Sequence, residues 1–143
     1  MKKGLMILTA VSILFLVMGI VVATDINKLN MPNGWENSND GVYRQVVKNI
    51  GSDGYFMNIQ KLNDTIKNDF YNHPSSSTHI VDKGNNTFTF TDAKAGSFEV
   101  VEIDGEKYFV MFWTAYSNDG NVNEAYDFMM QFNNLNGFEP VEA

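Results

Sequence analysis

The residues able to do chemistry are few and loosely grouped. His73 and His79 are the two histidines of the chain, and Asp69 and Asp82 lie near them in sequence. Metal ligands must converge, usually through i, i+4 spacing on a helix or across a rigid hairpin. The stretch between the histidines holds Pro74 and the run Ser75-Ser76-Ser77, which supplies neither, so surface-loop histidines are expected. Asp119, Asn121, Asn123 and Glu124 resemble a calcium loop, but an EF-hand needs glycine sixth and glutamate twelfth. Counted from Asp119, those places hold Glu124 and Met130. The same residues read better as a helix start, with Asn121 and Glu124 spaced as a capping box. Glu99, Glu102, Asp104 and Glu106 lie on one hairpin. Strand alternation puts Glu102 and Asp104 on one face and Glu99 on the other, and solvated charge is expected for all of them. The chain has no cysteine, no Gly-x-Ser-x-Gly elbow and no glycine-rich phosphate loop. No catalytic residue, metal ligand or cofactor contact is therefore assigned, and a non-enzymatic role is expected.

Two aromatic residues stand out. Trp113 lies on a strand that reads as buried, so core packing is expected of it. Trp35 follows a Pro-Gly turn and is expected to be the freer, capping the core edge or facing a partner. Asn63-Asp64-Thr65 and Asn85-Asn86-Thr87 are glycosylation sequons, which matter only outside a membrane.

The N-terminus says where the chain works. Lys2 and Lys3 precede a run from Gly4 to Ala23 without one charge. At 1.5 Å per residue, about 20 residues span about 30 Å, the thickness of a bilayer's hydrocarbon core. The lysines before it and Asp25 after it orient the remainder outward. Residues 1–24 are thus either an uncleaved signal-anchor or a signal peptide; the length favours an anchor, and Val21-Val22-Ala23 is an acceptable cleavage exit. Residues 25–143 make one domain. Of 10 basic residues two precede the apolar run, leaving 8 against 17 acidic ones, a net charge of −9. Such a surface repels phosphate backbones, so nucleic acid is not expected as a partner.

Along the domain, Val42 to Lys48, Tyr55 to Leu62, Thr87 to Thr91, Ser97 to Ile103 and Lys107 to Tyr116 read as strands, with a short extended piece at Met31-Pro32. Asp104-Gly105 is a hairpin signal. The arm after it is apolar on both alternating faces, which marks a central strand. Asn63 or Asp64 caps a short helix through Phe70 and Tyr71. Ala125, Phe128, Met129, Phe132 and Leu135 follow helical spacing, and Gly137 provides the stop. The expected fold is α+β, an antiparallel sheet of about five or six strands with two helices, preceded by the N-terminal membrane or signal helix.

The order of these pieces, with Pro32-x-Gly34-Trp35 near the start, resembles the PsbP-like fold. The closing stretch from Phe132 to Pro140 is similar to the tail of small uncharacterised exported proteins of methanogenic archaea. The resemblance implies the sheet-and-helix fold and a partner-binding, non-catalytic role, and it transfers no active-site residue. The expectation is a membrane-anchored or secreted extracytoplasmic module that binds a protein or surface polymer. The alternative is a small-ligand pocket between the sheet and the C-terminal helix, for which Phe88, Phe90 and Phe128 are candidate walls.

Overall fold

The computed structural model describes residues 24–37, 42–46, 54–72, 79–116 and 118–143. The N-terminal apolar run lies outside these residues, and no helix among them is long and apolar enough to cross a membrane.

Seven strands form one antiparallel sheet: β1 (Glu36–Asn37), β2 (Val42–Val46), β3 (Gly54–Lys61), β4 (His79–Gly84), β5 (Thr87–Thr91), β6 (Ala95–Ile103) and β7 (Glu106–Thr114). Their order is β1-β2-β3-β7-β6-β5-β4. The doubly apolar arm, β7, is the middle strand, as its pattern requires. Among the described residues the expected five or six strands become seven, and the first lies at Glu36–Asn37 rather than at the extended piece expected at Met31-Pro32, which is no strand. β4 was not anticipated because it is an edge strand whose side chains are mostly exposed, so it carries no apolar alternation. A local signal for it existed: Asn85 and Asn86 both adopt positive φ, 55° and 61°, the turn chemistry of a tight hairpin. Asp104 and Gly105, at φ 53° and 83°, close the β6–β7 hairpin in the same way.

The sheet has unequal covers. On one face lies α2 (Asp119–Asn136), with Ala125, Met129 and Phe132 buried against Tyr55, Met57, Val101, Val110 and Phe112. Asn118, not Asn121, caps it, its Oδ1 accepting from the Asn121 amide at 2.9 Å. Asn121 sits inside the first turn instead, where its Oδ1 accepts from the buried Tyr55 hydroxyl at 3.0 Å. Leu135, expected on the apolar side, is half exposed. Gly137 ends the helix at φ 69°. On the other face lie α1 (Asp64–Lys67), capped by Asn63 and continued by a wider turn, Asn68–Asn72, and the tail residues Val141 and Ala143. Ile66, Phe70 and Tyr71 pack there against Phe88, Phe90, Phe98 and Phe109.

The chain start is strapped across the α2 side. Tyr43 donates to the Ile26 carbonyl, and Asn136 donates to that of Asn30. The turn Pro32 to Trp35 closes through the Trp35 amide, with Gly34 at φ 91°.

Candidate functional site

Among the described residues a groove opens on the α1 face of the sheet. Pairing sets one row across four strands: Phe90 opposite Gly96, Gly96 opposite Trp113, and Trp113 opposite Phe56. Because Gly96 has no side chain, the Phe90 ring lies directly over it. A Cβ there would meet the Phe112 carbonyl oxygen at 2.4 Å and the Phe90 ring at 2.7 Å. Phe70, Phe90, Met111 and Trp113 line a groove of about 260 Å³, and the turn residues Asp92, Ala93 and Lys94 complete its wall.

Trp113 is held rigidly. Its ring stacks on Phe56 with centroids 4.6 Å apart, and its indole N–H donates to Asn58 Oδ1 at 3.2 Å. The Lys94 ammonium lies 4.6 Å from the ring centroid, a cation–π contact.

Trp35, expected to be the freer tryptophan, is buried, edge-on to Phe112 and Phe128, each with centroids 5.3 Å away. Trp113, half-buried, packs against the core cluster around Phe90, Phe98 and Phe109, as expected, and also lines the groove. The physical reason for the burial of Trp35 is coverage: the turn folds it under α2. The expected walls Phe88, Phe90 and Phe128 do not meet, because the first two lie on the α1 face and Phe128 packs with Trp35 and Tyr55 on the α2 face.

The second chemical feature is Glu99. Expected in solvent, its side chain is fully buried under α2. Strand alternation points it inward, between Thr87 and Val110 on the neighbouring strands. Asn133 of α2 donates to its Oε1 at 2.7 Å. Burial pushes the carboxyl from 4.5 up to about 8, and the Asn133 bond offsets only part of that. Two oxygens of this pair, Glu99 Oε2 and Asn133 Oδ1, have no donor among the side chains and backbone around them. A proton on Glu99 supplies what both need, since the neutral acid can donate to the amide oxygen. The neighbouring Thr87 hydroxyl is already engaged with the Gly84 carbonyl and the Tyr126 hydroxyl.

The remaining sequence candidates do not assemble. His79 and Asp82 lie exposed on the β4 edge, and Asp82 accepts from the Gly84 amide. His73 lies outside the described residues. Asn121, Asn123 and Glu124 fall within the first two turns of α2. Glu102, Asp104 and Glu106 are exposed around the hairpin tip, with Glu106 2.8 Å from Lys61. Of the sequons, Asn63 caps α1 and Asn85 lies in the β4–β5 turn. Among the described residues no group of three or more His, Cys, Asp or Glu could hold a metal ion. A smaller cavity of about 190 Å³ lies where the end of α2, the tail and the β4–β5 turn meet, with Asn85, Asn133 and Phe138 among its walls. Comparison with protein-family models, curated proteins and solved structures found no match.

Proposed function

We propose that the chain is an exported, non-catalytic binding module, anchored or secreted, that docks an apolar side chain of a protein partner into the groove beside Trp113. One observation carries this reading: among the described residues, the α1 face of the sheet holds a preformed aromatic groove. Aromatic and methionine walls suit side-chain anchors, which dominate protein interfaces, whereas a surface polymer would call for more hydrogen-bonding groups. The opposite charges of Asp92 and Lys94 beside the groove suit a polar rim.

The test is site-specific crosslinking. A photoreactive side chain at Ala93, introduced in native cells, is expected to trap a protein of fixed mass. Trp113→Ala is expected to cut that yield at least tenfold in protein that still folds, though with a lowered melting temperature because the stacking on Phe56 is lost. A yield indifferent to Trp113 would sink the reading.

The cavity at the end of α2 favours a second reading, binding of a small polar ligand, because its walls combine asparagine amides with Phe138 and Pro140. A thermal shift with amino-acid-sized polar compounds that is lost in Asn133→Leu would support it over the groove.

A further inference from the structure

The way Thr24 is seated bears on how the chain is processed. Thr24 grips both oxygens of one carboxylate: its backbone N donates to Asp104 Oδ2, and its hydroxyl donates to Oδ1 at 3.2 Å. Asp104 is the tip of the β6–β7 hairpin, flanked by exposed Glu102 and Glu106. Thr24 also directly follows Val21-Val22-Ala23, a small-x-small exit.

We infer that the Ala23–Thr24 peptide bond is cut on export and that the new Thr24 ammonium is held by the Asp104 carboxylate. The inference rests on the export reading given above. The step is hydrolysis by a membrane signal peptidase. Water adds across the C–N bond, Ala23 leaves with a carboxylate, and the Thr24 amine takes up a proton.

The alternative, an uncut anchor, fits the same contacts poorly. The apolar run ends at Ala23, so no linker residue separates the hydrocarbon core from Thr24. The headgroup layer is only about 5–7 Å deep on each side. A domain fixed at Thr24 would press Glu102 and Asp104 into that layer, where anionic headgroups repel carboxylates. Cutting removes this conflict and places a positive charge beside the Asp104 carboxylate, Glu106 being already paired with Lys61. The strap beyond Thr24 is already tied down, with Asn27 donating to Asp25 and Asn30 to Asn136.

Intact mass and N-terminal sequencing of the protein from native cells provide the first test. A chain beginning at Thr24 is expected. A membrane-bound chain beginning at Met1 overturns the cut but not export, and a soluble cytoplasmic chain beginning at Met1 overturns both. Any other terminus overturns the site. The second test is titration of the α-amino group by NMR in the processed protein. It is expected above the usual range of about 7.7–8.0 and should return to it in Asp104→Asn, which keeps a residue suited to the turn. A titration indifferent to Asp104→Asn overturns the ammonium seat.

Discussion

At the scale of single residues, Glu99 has the largest leverage on stability. A carboxylate sealed beneath a helix must either pair with a charge or take up a proton, and the side chain that donates to this one is a neutral amide. Its folded value lies near 8 and its ordinary value at 4.5, so the folded chain holds the proton more tightly. The stabilising contribution is thus complete below about pH 4.5, declines as pH rises and is lost by about pH 8. Within that window each pH unit removes up to about 1.4 kcal/mol. Glu99→Gln keeps the shape, and its amide can donate to Asn133 Oδ1. The variant is expected to flatten this decline and to exceed the parent in stability above pH 7, as urea midpoints at pH 5, 7 and 9 would show. A variant that follows the parent at every pH would refute the proton on Glu99.

At the scale of elements, the groove depends on a strand lacking one side chain. Gly96 lies between Phe90 and Trp113, and the nearest atom to an added Cβ belongs to backbone, which cannot rotate away. Gly96→Ala is expected to cost about 1–3 kcal/mol by forcing β6 from β7, and to narrow the groove as well. Denaturation would read the first effect and crosslinking from Ala93 the second. An alanine variant of parental stability would show that the strands adjust freely. The two helices differ in kind. α2 is 18 residues long with buried side chains along it, while α1 is 4 residues of helix with Ile66 buried. A short helix is marginal alone, so α1 depends on the packing of Ile66, Phe70 and Tyr71 against the sheet.

At the scale of the whole molecule, the sheet is built outward from its middle. β6, β7 and β3 hold the fully buried side chains Val100, Val101, Val110, Phe112, Tyr55 and Met57. The edges are a two-residue strand, β1, and the exposed β4, whose pairing is broken by an irregularity between Asp82 and Gly84. Short and irregular edges resist sheet-to-sheet association. Amide exchange is expected to be slowest at Val100, Val110 and Phe112 and fastest along β4, with protection differing by several orders of magnitude. Equal protection across the sheet would mean that it opens only as one unit. The terminal residues join in late: Val141 donates to the Val100 carbonyl at 2.8 Å, beyond the end of α2.

Local chemistry fixed much of this. Alternation and the Asp104-Gly105 pair located β5, β6 and β7, apolar spacing located α2, and the doubly apolar pattern made β7 central. These features depend on neighbours in the chain, and so they are legible in it. The α2 cap was misplaced by three residues because Asn118 and Asn121 offer the same side-chain chemistry, and only the backbone path separates them. β4 escaped because an edge strand buries little and needs no apolar period. The groove, the buried acid and the burial of Trp35 were decided by tertiary structure alone. Each depends on how far a helix reaches over a given sheet face, a distance set by packing between elements far apart in sequence.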